Sequence, residues 1–366
     1  MIRLGRSIAV VGAALALGVA FSCGGAAATQ AVSPCGTATV PAWSPDGTQI
    51  AWFGYRWPLP PHHHAVGSYN ILRAFCASDA EGNGLHQLPH TVCSERCSNN
   101  LGDPPGQLDW VGSSLLVFGS DDGVRTVSVG QKPELLARKG PDPYALDAQG
   151  DRVATAMFAA GCSGCSGPVT IRSVPSGAVV GVVGGTKLNN DEPSLSPDGS
   201  QVVFTRTSGK NASAKPSIWA AAVDGSHLRR LARSGDNPLW SPAGNKIAYL
   251  APAGGAHFAW RLVAPQGGAS TTVLRNGPGT VFGWSPNGRF IAFPDSKGRL
   301  AVIDVATRKV RRLLKLRLPY SSSSVAWSPN SKQLLVIWRP AANSGCPSGL
   351  WRVPLDGGKP HLVHGC

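Results

Sequence analysis

Residues 284–293 read WSPNGRFIAF, and residues 43–52 read WSPDGTQIAW. A phrase repeated at that distance is a structural unit. Aligned on Trp-Ser-Pro, the chain shows Trp43-Ser44-Pro45, Leu195-Ser196-Pro197, Trp240-Ser241-Pro242, Trp284-Ser285-Pro286 and Trp327-Ser328-Pro329. Two worn copies, Trp110-Val111-Gly112 and Leu146-Asp147-Ala148, fill the gap. From Leu146 onward the anchors stand 49, 45, 44 and 43 residues apart. A fixed period of this length marks a repeat architecture.

Each copy has a physical grammar. In Ser-Pro-Asp-Gly, Pro presets φ, Asp binds nearby backbone and Gly accepts a positive φ, so the four residues make a tight turn. A short strand follows, as in Val202-Val203-Phe204 or Ile291-Ala292-Phe293, apolar on both faces and therefore buried on both. A third strand comes later, as in Ser217-Ile218-Trp219 or Gly349–Val353, and ends in Asp224-Gly225 or Asp356-Gly357. A fourth, such as Leu228–Leu231, closes the unit. Four antiparallel strands per repeat, sandwiched between like neighbours, predict an all-β propeller with anchors near 43, 110, 146, 195, 240, 284 and 327. Seven blades are expected, with six as the alternative while the second and third copies are so worn.

The pattern x-P-x-W-S-P-D-G-x-x-I-A-F…I-W…D-G…L resembles the WD40-like (PD40) repeat of TolB-type propellers, over about residues 36–366. The resemblance implies the propeller fold, and the family's partner-binding behaviour does not carry over with it. TolB-type proteins carry a separate α/β domain before the ring, for which this sequence has no room. The blades also resemble those of prolyl oligopeptidase-type peptidases, which need a hydrolase domain that is not found here.

Composition agrees with a turn-rich β protein: 45 Gly, 30 Pro and 15% charged residues in 366. Residues 1–28 read as a secretory signal, with Arg3 and Arg6, an apolar run from Ile8 to Phe21 and Ala26-Ala27-Ala28 as an A-x-A cleavage pattern. That leaves 29–366 as one propeller domain, exported to the periplasm, cell surface or medium. Ala20-Phe21-Ser22-Cys23 faintly resembles a lipobox, so a lipid on Cys23 is a second way of holding the domain peripherally at a membrane. Eight further cysteines, at 35, 76, 93, 97, 162, 165, 346 and 366, read as disulfides in an oxidising compartment, with zinc as the rival for Cys93/Cys97 and Cys162/Cys165. Cys35 and Cys366 flank the ring, and a bond between them would staple its seam.

In a propeller the turns joining strands one to two and three to four share one face. The other two connections share the opposite face. Here that opposite face is elaborated: an insertion from Gly54 through Tyr55 and Trp57 to His62-His63-His64, and the loops holding Cys93, Cys97, Cys162, Cys165 and Cys346. Loops on a rigid scaffold are where binding is usually built. Tyr55 and Trp57 suit stacking on a sugar or peptide. Four residues before the anchor stand Asp142, Asp191 and Asp236, in three consecutive blades at the channel mouth. Gathered carboxylates need a cation or basic ligand to offset them, so these three are the candidate ligand site and the weak candidates for Ca²⁺. The competing reading is local turn bonding.

Without Arg3 and Arg6 the chain has 32 Lys+Arg against 20 Asp+Glu. Much of this charge lies on outer strands (Arg229, Arg230, Arg233, Arg308, Lys309, Arg311, Arg312, Lys315, Arg317), either protecting sheet edges or attracting an anionic envelope polymer or lipid headgroups. No G-x-S-x-G, H-E-x-x-H or P-loop occurs, and no nucleic-acid-binding motif is seen. The expectation is a monomeric, non-enzymatic, cofactor-free module that binds a protein or envelope partner through the looped face. The alternatives are a carbohydrate-binding or glycan-cleaving propeller using the mouth acids, and a small-ligand or Ca²⁺ propeller.

Overall fold

The structure, a computed structural model, describes residues 35, 37–56, 72–87, 108–112, 114–120, 123–128, 134–138, 143–158, 166–185, 188–208, 215–255, 257–279, 283–317, 325–338 and 349–365. These residues form seven four-stranded antiparallel sheets, each built from four strands consecutive in the chain. Blade 5 shows the pattern, with strands Asp236–Trp240, Ile247–Pro252, Phe258–Val263 and Thr271–Gly277 running from the channel outward. The fold is a seven-bladed propeller, and the worn copies at Trp110 and Leu146 are complete blades.

The repeated phrase works through its serine. Ser44 Oγ accepts from Gln49 N at 2.9 Å and donates to Asp46 at 2.6 Å, while Gly47 takes φ 75°. The same serine bond recurs from Gln201, Lys246, Phe290 and Gln333 to Ser196, Ser241, Ser285 and Ser328. Each serine is buried, so its hydroxyl is satisfied inside the turn that it closes. In blade 7 the left-handed position falls to Ser331, at φ 59°, instead of glycine.

Seven apolar clusters hold the ring, one per blade–blade interface. The second strands supply them by alternation. Val202 and Phe204 pack toward blade 3, and Val203 between them packs toward blade 5. All three are fully buried, as a strand apolar on both faces requires.

Closure of the ring corrects one expectation. Cys35 pairs with Cys76, not Cys366. The chain before the first strand crosses the sheet at Gly54, where an added Cβ would lie 2.3 Å from the Cys35 carbonyl oxygen. Glycine there lets Cys35 reach the third strand of its own blade, Leu72–Asp79. The seam between blades 7 and 1 is closed by packing: Trp43, Ile50 and Trp52 meet Leu335, Ile337 and Leu350. Trp52 also lies 5.1 Å from the His364 ring, and Arg352 reaches Glu81 at 3.4 Å. Residues 1–28 with Cys23, and Cys93, Cys97, Cys162, Cys165, Cys346 and Cys366, lie outside the described residues.

Candidate functional site

The innermost strands line a central cavity of about 420 Å³. Its wall is uneven. On the side of blades 5, 6, 7 and 1 it is made by Trp240, Trp284, Trp327 and Trp43, and on the side of blades 2 and 3 by Asp109 and Asp147. The residue before the anchor lines the channel in six blades, and it is small or apolar at Ala42, Leu239, Gly283 and Ala326. Asp109 is the acidic exception in that column.

The two aspartates bond across blade boundaries, as the indoles of two of the five anchor tryptophans also do. Trp284 Nε1 donates to the Leu239 carbonyl of the preceding blade at 3.3 Å, and Trp327 Nε1 to that of Gly283 at 3.1 Å. Blades 3 and 4 have Leu146 and Leu195 as anchors, with no indole to offer. There Asp109 accepts from Ala148 N at 3.3 Å, and Asp147 accepts from Leu195 N at 2.7 Å, each across a blade boundary. Burial raises both carboxyls well above the usual carboxylate range, and Asp109 raises Asp147 further by like-charge repulsion.

The innermost strands of blades 4 and 5 each carry a bulge, between Asp191 and Ser194 and between Asp236 and Leu239, and of the bulge residues Asn237 lines the cavity. Glu192 and Asn237 take φ of 51° and 52° at these bulges. The bulge turns both Asp191 and Glu192 toward Asp236 of the next blade. Glu192 lies beside the Asp236 carboxyl, and it accepts from Asn237 N at 2.9 Å and from Thr205 Oγ1 at 3.0 Å. Burial and then Asp236 push Glu192 up to about 8. The same two causes push Asp191 up to about 6. Asp191 Oδ1 is buried without a hydrogen-bond partner among the described residues. The cluster is thus two coupled carboxyls and a third with an unused acceptor.

Of the sequence candidates, Asp191 and Asp236 are brought together across one blade boundary. Asp142 and Trp57 lie outside the described residues. Tyr55 belongs to the second strand of blade 1, Gln49–Arg56, where it pairs with Thr37 and Arg73, so the insertion begins after Arg56. Glu192, Asp109 and Asp147 were not singled out by sequence. Asp109 was visible as an acid in a column of Ala, Gly, Ser and Leu, and Asp147 as an acid where other anchors have the buried serine. Among the described residues, no group of three or more His, Cys, Asp or Glu side chains is placed to hold a metal ion.

No protein-family model matches the chain, and no curated protein matches it. Solved structures do. An oligogalacturonate lyase in complex with manganese aligns at 13% identity over 88% of this chain and 90% of that one, with a TM-score of 0.64. A puromycin-hydrolyzing peptidase of Mycobacterium tuberculosis aligns at 14% identity over 91% of this chain and 54% of that one, also at 0.64. TolB from Acinetobacter baumannii aligns at 14% identity over 85% and 79%, at 0.48. These are likenesses of fold. The ring and the Trp-Ser-Pro repeat agree on a seven-bladed β-propeller.

Proposed function

We propose that the chain is an exported, non-enzymatic binding propeller. It takes a protein partner on the face of its longer loops and seats a cationic group of that partner at the acid-lined channel mouth. One observation carries this reading: Asp191, Glu192 and Asp236 converge from two blades with no described cation to offset them, and Asp191 keeps a buried oxygen unused. A lysine or arginine entering there gains charge-assisted hydrogen bonds in a partly desolvated place. Export is supported by the signal-like residues 1–28 and by the Cys35–Cys76 bond.

A second reading has its own observation. The Glu192–Asp236 pair, with one carboxyl raised, is a pattern used for general acid–base work on glycosidic bonds. Against it, Glu192 is committed to Asn237 N and Thr205 Oγ1, which fix the bulge and leave it poorly placed to reach a substrate.

Affinity columns test the choice. One carries the natural chain and one the Asp191→Asn/Asp236→Asn variant, which keeps shape and removes charge. Envelope extract of the source organism is passed over both. A protein retained by the first column and lost from the second supports the reading. Equal retention moves the site away from the mouth, and glycans eluting shorter than they entered overturn the non-enzymatic assignment.

A further inference from the structure

The outermost strands of the blades and their flanking turns differ in charge, and exposed cations are densest along one arc. Blades 4, 5 and 6 end in Arg229–Ala232, Thr271–Gly277 and Val310–Arg317. On these strands and their flanking turns stand Arg230, Arg233, Arg275, Arg308, Lys309 and Arg311, all exposed. None of the six forms an ion pair with a described carboxylate. The acids of blade 6 are already engaged: Asp295 holds Arg299 at 2.7 Å and Arg312 at 3.0 Å, and Asp304 holds Arg289 at 2.7 Å. The outermost strands of blades 1, 3 and 7, His86–Gln87, Val179–Val183 and His361–His364, carry no lysine, arginine or carboxylate. Blade 2 carries Glu134 and Arg138 on this strand with Lys132 and Lys139 beside it in the sequence, and blade 7 has one exposed cation, Lys359, in its flanking turn.

Protection of sheet edges does not account for this pattern. Among the described residues no further strand pairs with the outermost strand of any blade, and the most apolar of these edges needs a charge most. That edge is in blade 3, where Val179 and Val182 are 52% and 51% exposed, and it has none. The exposed cations are instead densest on three neighbouring edges.

We propose that this arc is a docking track for a linear anionic polymer, one with carboxylate or phosphate groups repeated along its chain. Arginine predominates, and its planar fork pairs with either group. The rim is convex, with successive edges one seventh of a turn apart. A flat bilayer meets one such edge at a time, and a single small anion meets one or two cations. A flexible chain can follow all three. The track lies on the rim, so it stands or falls independently of the channel mouth.

The test uses the full chain with polygalacturonate and with polyphosphate as probes, across a salt series. Polyelectrolyte binding by about six cations predicts a log–log salt slope of roughly −4. Arg230→Gln/Arg275→Gln/Arg311→Gln removes one cation from each blade. It is expected to weaken binding at least tenfold and to cut the slope by about half. The control Lys246→Gln/Lys332→Gln/Lys359→Gln removes the same charge from exposed turn positions and is expected to change affinity less than threefold. All six positions are exposed, so the melting temperature checks that each variant stays folded. Binding of one probe alone identifies the anion and keeps the track. Equal losses in the two variants reduce the effect to net charge and overturn the proposal. Binding to anionic vesicles as tight as to either polymer overturns it too, in favour of a membrane surface.

Discussion

Removing the Cys35–Cys76 bond, in a Cys35→Ala/Cys76→Ala chain, should weaken the ring at its seam before anywhere else. The bond closes a loop of 41 residues. Releasing a loop of that length into the unfolded ensemble lowers stability by about 4 kcal/mol in the chain-entropy account. That is a large part of the roughly 5–15 kcal/mol available to a typical domain. Both sulfurs are fully buried in the cluster that joins blade 1 to blade 7, so their loss also thins the seam packing. Among the described residues no strand passes between the first and last blades to compensate. Urea unfolding under oxidising conditions gives the free-energy difference, and amide hydrogen exchange gives its location. Peptides from Thr37–Trp43 and His361–His364 should exchange faster than those of blade 5. A loss below about 1 kcal/mol, or seam peptides as protected as blade 5, would refute the reasoning.

Stability should also depend on pH in a particular direction. Asp109, Asp147 and Glu192 are raised by folding, so their contribution is complete below the ordinary carboxylate pKa, near 4, and is lost as pH rises toward about 8. Asp295 and Asp304 are depressed, chiefly by hydrogen bonds from backbone amides and arginines that outweigh desolvation, so their contribution is lost as pH falls below that point. Melting temperature should peak on the acid side of neutrality and decline toward pH 8. Asp147→Asn, which can still accept from Leu195 N, should flatten the alkaline decline, and an unchanged slope would remove the buried pair as its cause. Gly181→Ala places a Cβ 2.0 Å from the Val223 carbonyl oxygen, where the outer strand of blade 3 meets the next blade. A loss of about 1–3 kcal/mol is expected from thermal melts, and a neutral result would mean that this interface shifts freely.

What could be read in advance follows the range of the interactions. The Ser-Pro-Asp-Gly turn is closed within six residues, from Ser44 to Gln49, and so its sequence announces it. Spacing then located the blades at Trp110 and Leu146, although neither keeps the serine. Asp191 and Asp236 converge because equal positions in neighbouring repeats occupy equal places around the ring. Glu192 escaped notice because alternation assigns it to the face opposite Asp191, and only the bulge brings both to Asp236. Asp109 and Asp147 escaped notice because their partners, Ala148 N and Leu195 N, lie 39 and 48 residues away, across a blade boundary. The partner of Cys35 was set by a crossing over Gly54, far from any repeat logic.

Every sheet in the ring is drawn from one uninterrupted stretch of chain. The order of blades around the circle is therefore separable from the point at which the polypeptide starts. A gene rearranged to begin at Asn189 and to carry blades 1 to 3 after blade 7 would break no sheet hydrogen bonds. It would need only a linker across the present seam and a cut between blades 3 and 4. Duplication of a single repeat would likewise insert a complete unit with both of its apolar faces intact, and ring size becomes a matter of how many wedges fill the circle.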